Sequence, residues 1–148
     1  MTRLQGKTAI VTGGARGIGF AISRGYAAEG ARVVIADVLE DQAREAAQAI
    51  GAGAQAMYLD VTDQECIDRV VDRTVEEYGR VDVLVNNAGI FDMGPLEDVT
   101  REQFRTLFAV NTEGLYFMLQ AVVRRMLADG KGGRIINMSS QAGRRGDP

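Results

Sequence analysis

The stretch VTGGARGIGF, residues 11–20, decides the fold that this sequence predicts. It places four glycines within ten residues, directly after an apolar strand pattern and directly before a helical one. Free N–H groups at the start of a helix bind anions, and glycines let a phosphate approach the backbone. We expect Gly13 to make the tight turn, Gly17 to admit a pyrophosphate, and Gly19 to let the helix pack close to the sheet.

Strand and helix patterns alternate along the whole chain. The predicted strands are KTAIVTGG, ARVVIAD, AQAMYLDV, VDVLVNNAG and GRIINMSS. Between them lie helical patterns, one with Thr62 as its predicted N-cap and a long one capped by Thr100 that reaches about Leu127. The segment 141–148 is predicted to be loop. Continuously apolar strands indicate a parallel sheet covered on both faces, and right-handed crossovers favour a doubly wound, Rossmann-like α/β fold.

The composition narrows the class of protein. With 148 residues, 46% hydrophobic and 25% charged, the chain is predicted to be one globular domain. A net charge of -3 gives no reason to expect a nucleic-acid partner. No histidine is present, which excludes histidine metal sites and Ser-His-Asp triads, and we expect no metal. The single cysteine, Cys66, fits a reducing, cytoplasmic location, and no apolar run approaches the ~18 residues of a membrane span.

Asp37 points to the identity of the nucleotide. It ends the second predicted strand, 18 residues after Gly19, where an acid accepts hydrogen bonds from an adenosine ribose. A carboxylate there repels a 2′-phosphate and favours NAD over NADP, whereas Arg16 in the glycine turn would favour NADP. We give Asp37 the greater weight. The structural alternative is that Asp37 is simply a turn residue at the end of a strand.

Several motifs together resemble the short-chain dehydrogenase/reductase family. They are TGGARGIG after the first strand, LDVTD after the third, NNAG at residues 86–89, VN at residues 110–111, and IINMSS at the fifth strand. Their order and spacing span essentially the whole chain. The resemblance implies a nicotinamide-dependent oxidoreductase. The cofactor-binding candidates are Gly13, Arg16, Gly17, Ile18, Gly19, Asp37, Asp60, Val61, Asn87, Ala88, Gly89 and Val110.

The resemblance also gives roles to individual residues. Asp60 and Val61 would flank the adenine, and the NNAG residues would steady the sheet and line the cofactor. Asn111 would hold a water in a proton relay, and Ser140 would be the catalytic serine that hydrogen-bonds the substrate oxygen, with Ser139 structural. From the residues alone, the interpretation of Asn111 as a polar side chain on a solvent face is favoured, and the alternative for the serine pair is a strand terminator.

The segment from FDMGPLEDV onward resembles the polyol branch of that family, which contains sorbitol and galactitol dehydrogenases. A secondary alcohol or ketone, with a polyol such as sorbitol favoured, is then the expected small-molecule substrate. Gln141 becomes a candidate contact for a substrate hydroxyl, and its structural alternative is a loop amide. The family is commonly tetrameric through the long helix and the one after it, so a homotetramer is expected.

The family's acid-base pair, Tyr-x-x-x-Lys, does not occur in this sequence. The lysines are Lys7 and Lys131, and neither follows a tyrosine at that spacing. The resemblance places the pair beyond Pro148, so we interpret residues 1–148 as a dinucleotide-binding domain that is the N-terminal portion of the full fold and is incomplete at its C-terminal end. Strand five would then lie at an open edge, with Ile135 and Ile136 near it. The alternative is a non-catalytic dinucleotide-binding module that acts through a partner.

Overall fold

Five parallel strands form the centre of the computed structural model, which describes residues 2–51, 53–92, 94–141 and 143. The sheet order is β3-β2-β1-β4-β5. The strands are β1 Thr8–Thr12, β2 Arg32–Asp37, β3 Ala54–Tyr58, β4 Val83–Asn86 and β5 Arg134–Asn137. The α-helices are α1 Gly17–Ala28, α2 Glu40–Ile50, α3 Gln64–Tyr78, α4 Arg101–Phe108 and α5 Leu115–Asp129. This order confirms the predicted doubly wound, Rossmann-like architecture.

The strand order reverses next to β1. Val11 of β1 pairs with Ile35 of β2 on one side and with Val85 of β4 on the other. The chain runs outward from β1 to β3 and then returns to place β4 on the opposite side. In sheets of this type the crevice at the carboxyl ends of the strands, at the reversal, is where ligands bind.

Each face of the sheet carries its own apolar core. On one face Val34 and Leu84 pack with residues of α3 and α5, and on the other Val33 and Ile35 pack with residues of α1 and α2. Successive residues of a strand point to opposite faces, so burial of both faces requires continuous apolar runs. This is the physical reason that the strand patterns in the sequence do not alternate with polar residues.

The helix caps confirm one prediction and correct another. Thr100 caps α4, and its hydroxyl accepts the Gln103 N–H at 3.1 Å in a capping box. The prediction of Thr62 as the cap of α3 is wrong. Asp63 caps that helix, and its carboxylate accepts the Glu65 N–H at 2.9 Å. The Thr62 hydroxyl instead donates to Asp60 at 2.7 Å, which holds Thr62 in the turn before the helix.

The predicted long helix is continuous but not uniform. Between α4 and α5 the residues Ala109–Gly114 adopt π-helical geometry, which widens one turn of the helix. The helix ends at Asp129 and is followed by Gly130 with a φ of 67°. A short 3₁₀ turn, Leu96–Asp98, precedes α4 and was not predicted. The π segment matters because it carries two of the site residues predicted from the sequence.

The edge strand β5 is open among the described residues. It pairs with β4 in parallel, and Ile136 is 40% exposed while Ile135 is half-buried. Within the described residues, Ile135 and Ile136 are thus only partly covered at this edge. The predicted loop 141–148 lies mostly outside the described residues. Within the described part of the chain, no helix is both long enough and apolar enough to cross a membrane.

Candidate functional site

A cleft of about 640 Å³ opens at the carboxyl ends of β1, β2, β3 and β4. Eleven of the residues predicted to bind a cofactor line it: Gly13, Arg16, Gly17, Ile18, Asp37, Asp60, Val61, Asn87, Ala88, Gly89 and Val110. Gly19, Asn111 and Ser140 lie outside that lining. The fold therefore gathers loops that are far apart in sequence around one concave surface, as the topology of the sheet requires.

The glycine turn is shaped by two different demands. Gly13 has a φ of 62° and its N–H donates to the Ala36 carbonyl at 2.8 Å, while a Cβ at Gly13 would stand 2.9 Å from Ala88 Cα. Gly17 has a φ of 54° with open space where its side chain would be. The first glycine is needed for close packing, and the second leaves the start of α1 accessible to a ligand.

Gly19 was predicted to let the helix pack close to the sheet, and the structure shows that it lies against the glycine turn itself. A Cβ there would stand 2.1 Å from the Gly13 carbonyl oxygen and 2.7 Å from Asn87 Nδ2. The Asn87 amide itself donates to the carbonyls of Thr12 at 3.1 Å and Gly13 at 3.0 Å. The first turn of α1 thus rests on the glycine turn and on Asn87, which join the loops after β1 and β4.

Thr12 is a structural residue of the site that the sequence reasoning missed. Its buried hydroxyl accepts the N–H groups of Asn87 at 3.0 Å and Ala88 at 2.9 Å. Together with the Asn87 amide, these bonds join the two loops on either side of the reversal. A threonine immediately before a glycine turn is the available signal, because the last side chain of a buried strand needs a partner when it is polar.

Asp37 is buried beside the glycine turn, with a relative exposure of 7%. Its carboxylate accepts the Ala15 N–H at 3.0 Å through one oxygen and the Leu39 N–H at 3.0 Å through the other. The alternative reading as a turn residue is therefore part of its role. Each carboxylate oxygen has a second acceptor position, and the residue also lines the cleft, so the geometry leaves it able to accept from a ligand hydroxyl.

The loop after β3 forms another wall of the cleft. The Asp60 carboxylate accepts both the N–H of Thr62 at 2.9 Å and its hydroxyl at 2.7 Å. The Asp60 N–H donates to the Cys66 sulfur at 3.3 Å, and that buried thiol donates to the Tyr58 carbonyl at 3.6 Å. Val61 is almost fully buried. Short polar bonds on one side and apolar burial on the other hold this wall in place.

Asn111 lies in the π segment and hydrogen-bonds to Ile90, in the loop that follows the NNAG motif. Its Oδ1 accepts the Ile90 N–H at 2.8 Å and its Nδ2 donates to the Ile90 carbonyl at 2.9 Å. A side chain that faced only solvent would not make this pair of bonds. Each end of the amide still has one hydrogen-bonding position, so the geometry is compatible with a bound water.

The serine pair follows β5 at the carboxyl edge of the sheet. Met138 N–H donates to the Asn86 carbonyl at 2.9 Å, which carries the β4–β5 pairing to the residue before Ser139. Ser139 and Ser140 are exposed, and the Ser140 carbonyl accepts the Gly143 N–H at 3.3 Å. The structure thus places both serines on the same edge of the sheet as the cleft. Gln141 is also exposed at this edge.

Further residues line the cleft that the sequence reasoning did not single out: Ala36, Val38, Leu39, Leu59, Thr62, Ile90 and Thr106. Most of them adjoin a predicted site residue, as Val38 adjoins Asp37. Thr106 is four residues before Val110, which is helical spacing, so the periodicity of the long helix was the signal that places both on one face. Exposed Val38 and Ile90 give the cleft an apolar rim.

The cleft fits a dinucleotide by its shape and its donors. Its floor is the glycine turn, where a Cβ at Gly13 or Gly19 would collide with the backbone, while the space over Gly17 is open at the start of α1. The N-terminus of that helix carries partial positive charge from its unpaired N–H groups. The exposed Arg16 adds a full positive charge beside it. An anionic diphosphate is the ligand that these features complement.

Metal ligands do not gather in this part of the molecule. Among the described residues, no group of three or more histidine, cysteine, aspartate or glutamate side chains is arranged to hold a metal ion.

Comparison with known proteins identifies relatives along nearly the whole chain. A family model described as short chain dehydrogenase matches residues 7–148. A sorbitol dehydrogenase of Cereibacter sphaeroides is 55% identical over 98% of this chain and 57% of its own length. A galactitol 2-dehydrogenase of Agrobacterium fabrum is 51% identical with the same coverage, 98% and 57%. An NADP-dependent (R)-specific alcohol dehydrogenase of Lentilactobacillus kefiri is 43% identical over 99% of this chain and 59% of its own. The chain therefore spans somewhat more than half the length of these relatives.

Proposed function

The chain belongs to the short chain dehydrogenase family, and on that premise we propose that it forms the coenzyme-binding part of an NAD-dependent dehydrogenase that acts on a secondary alcohol. The single observation that carries the choice of NAD is Asp37, a buried carboxylate that lines the cleft beside the glycine turn. Its two backbone donors, the N–H groups of Ala15 and Leu39, fix the orientation of the carboxylate. A carboxylate in this position accepts from a ribose diol and repels a 2′-phosphate.

Two residues have opposite effects on the preference for NAD over NADP. Arg16 is exposed at the start of α1, and a guanidinium there would pair with a 2′-phosphate. The relative from Lentilactobacillus kefiri is NADP-dependent, so both specificities occur among similar proteins. We assign the larger effect to Asp37, because a buried like charge opposes NADP strongly while Arg16 lies in solvent, where the attraction is screened.

The residues after β1, β3 and β4 would hold the coenzyme, with Gly17 at the diphosphate and Val61 at the adenine. The bound nicotinamide would supply the acceptor for a hydride from the carbinol carbon. Ser140 would donate a hydrogen bond to the substrate oxygen, at the carboxyl edge where the structure places the serine pair. Asn111 would hold the Ile90 loop and a relay water. Proton transfer to the substrate oxygen would fall to a tyrosine and lysine outside residues 1–148.

The proposed substrate class is a polyol such as sorbitol. Two relatives at more than 50% identity are named for sorbitol and galactitol, and their similarity extends through the loop between β4 and α4. Gln141, exposed beside Ser140, is the proposed amide contact for a second hydroxyl. An amide both donates and accepts hydrogen bonds, as polyol recognition requires.

We also propose a homotetramer in the cytoplasm. The long helix carries Phe104 and Phe108 on its surface, 55% and 46% exposed, with their rings stacked at a centroid distance of 4.4 Å. Adjacent exposed aromatic rings on a helix favour association with another apolar surface. Light scattering of the full-length gene product tests the assembly: Phe104→Glu should lower the mass, and an unchanged tetramer would contradict this helix as the interface. The reduced, buried thiol of Cys66 suits a cytoplasmic location.

Calorimetry on the full-length gene product tests the central proposal. NAD should bind more tightly than NADP, and absorbance at the reduced-nicotinamide band should rise when sorbitol or galactitol is added with NAD. No binding of either coenzyme to the folded protein would refute the proposal. Binding without turnover of any sugar alcohol would favour the second candidate, a non-catalytic dinucleotide-binding module.

A further inference from the structure

The π segment Ala109–Gly114 contacts two walls of the cleft at once. Through Asn111 it holds Ile90 in the loop after β4, at distances of 2.8 and 2.9 Å. Through Gly114 it meets Val61 in the loop after β3. A Cβ built on Gly114 would stand 2.7 Å from Val61 Cγ2, 2.8 Å from the Val61 carbonyl oxygen and 2.9 Å from Val61 Cβ. One widened helical turn therefore contacts the loops that follow two different strands.

We infer that Gly114 is a positioning residue that sets the place of the adenosine-side wall, Asp60–Val61, relative to the long helix. This inference rests on the coenzyme site proposed above. Gly114 is buried and its backbone is helical, with a φ of -60°, so glycine is not needed there for its conformation. The close approach of Val61 is the reason that the absence of a side chain matters.

The wall has little freedom to yield to a methyl group at Gly114. One of the close atoms is the Val61 backbone oxygen, which cannot rotate away as the end of a side chain can. The preceding residue, Asp60, is fixed by its N–H bond to the Cys66 sulfur and by its carboxylate bonds to Thr62. A methyl group at Gly114 that displaces Val61 should therefore displace Asp60 as well, because the two residues are adjacent. Both residues on the adenosine side of the cleft then shift together.

The consequence is a selective effect on one half of the ligand. The loop of Gly89 and Ile90 is held by Asn111, whereas the three heavy atoms nearest a Cβ at Gly114 all belong to Val61. Displacement of the Asp60–Val61 wall should therefore weaken ligands that occupy the adenosine side and leave ligands of the nicotinamide side unaffected. General destabilisation of the fold would weaken both.

Calorimetric titration of the full-length gene product with NAD, ADP and nicotinamide mononucleotide tests the inference. We expect Gly114→Ala to raise the Kd of NAD and of ADP about tenfold or more, as overpacking against fixed backbone predicts. The Kd of nicotinamide mononucleotide should stay within about twofold, and kcat at saturating NAD should fall much less than kcat/KM for NAD. Glu113→Ala, an alanine at an exposed position of the same segment, is the matched control and should change none of these values.

Each result of these titrations supports or refutes the inference about Gly114. If the parent protein binds NAD but Gly114→Ala binds ADP normally, or loses ADP and nicotinamide mononucleotide equally, the inference is wrong while the coenzyme site stands. A parent protein that binds neither coenzyme refutes both proposals. If Gly114→Ala does not fold, the double variant with Val61→Gly decides, because glycine at position 61 removes Cγ2 and Cβ, two of the three close atoms. That double variant should fold and bind NAD, and failure to fold would overturn the inference.

Discussion

The Asp37 carboxylate accepts the backbone N–H of Ala15 at 3.0 Å, so the acid at the end of β2 holds the glycine turn directly. Its other oxygen accepts the Leu39 N–H at 3.0 Å. The residue proposed to choose the coenzyme is thus also a support for the loop that receives the diphosphate. A change at this position is expected to affect selectivity and affinity together.

Asp37→Ala should reduce the preference for NAD over NADP. Removal of the buried negative charge removes the repulsion of a 2′-phosphate, so the ratio of kcat/KM for NAD to that for NADP should fall by about tenfold or more. Affinity for NAD should fall as well, because the Ala15 and Leu39 N–H groups lose their acceptor. Steady-state kinetics with both coenzymes measure the ratio.

Asp41→Ala is the control for that experiment. Asp41 is an exposed acid four residues along, in the first turn of α2, where it pairs with Arg44 at 3.0 Å. Its removal changes the net charge equally and should leave the coenzyme preference unaltered. An unchanged ratio in Asp37→Ala would remove that residue from coenzyme selection.

Two glycines of α1 should respond to alanine in opposite directions. A Cβ at Gly19 would stand 2.1 Å from the Gly13 carbonyl oxygen, whereas a Cβ at Gly25 would meet nothing within 4 Å. Gly19→Ala is expected to lower the free energy of unfolding by about 3 kcal/mol or more and to abolish NAD binding. Gly25→Ala should raise stability by about 0.5–1 kcal/mol, because alanine has the higher helix propensity. Chemical denaturation compares them, and equal stabilities would contradict the tight turn.

The fold was predictable because its signals are local and repeated. Apolar runs of strand length, helical spacing between them and a glycine turn at the first junction each indicate the same architecture. The cap at Thr100 could be predicted for the same reason, because its partner Gln103 is only three residues away. The cap of α3 was misplaced because Thr62 and Asp63 are adjacent candidates, and the choice depends on which of their side-chain oxygens accepts a helix N–H.

The site was predictable in its residues but not in their contacts. Asp37 and Asn87 could be identified from their positions after strands. That Asp37 holds Ala15 and that Thr12 joins the two loops depends on hydrogen bonds between residues 22 and 75 positions apart. The π segment was hidden because widening one turn leaves the pattern of apolar residues nearly unchanged. Gly114 had no local signal, since its reason is the approach of Val61 from another loop.

Asn111→Ala should loosen the loop after β4. The Ile90 N–H and carbonyl lose both partners, and amide hydrogen exchange at Ile90 should accelerate about tenfold, which corresponds to about 1.4 kcal/mol. Turnover of the full-length gene product should fall with it. Thr112→Ala, an exposed position of the same segment, should change neither quantity. Turnover lost with exchange at Ile90 unchanged would show that Asn111 acts by another route.

Ser140→Ala should separate binding from chemistry. The serine lies at the carboxyl edge of the sheet but outside the lining of the coenzyme cleft. In the full-length gene product, NAD affinity should therefore stay within about twofold, while kcat falls by about a hundredfold or more, as for loss of a donor to the reacting oxygen. Ser139→Ala should retain most of the turnover. Full activity in Ser140→Ala would exclude this serine from the mechanism.

Asp82 offers a test of stability that is independent of the site. It is buried at the amino end of β4, where its carboxylate accepts the Thr8 N–H at 3.0 Å and lies 2.9 Å from Arg80 Nε and 3.3 Å from Lys7 Nζ. Asp82→Ala leaves a buried N–H and the half-buried Arg80 without this partner, so the free energy of unfolding should fall by about 2–4 kcal/mol. NAD affinity at 25 °C should stay within about twofold, because the cleft is at the opposite end of the strands.

The exposed pair of Asp72 with Arg125 provides the comparison for Asp82. Asp72→Ala removes an ion pair in which both side chains are nearly half exposed, and it should cost less than about 1 kcal/mol, because solvent screens the pair and hydrates the remaining guanidinium. Denaturant titration gives both values. Equal losses for the two variants would show that the buried carboxylate does not hold the amino ends of β1 and β4 together, and a loss of NAD binding in folded Asp82→Ala would show that the two ends of the sheet are coupled.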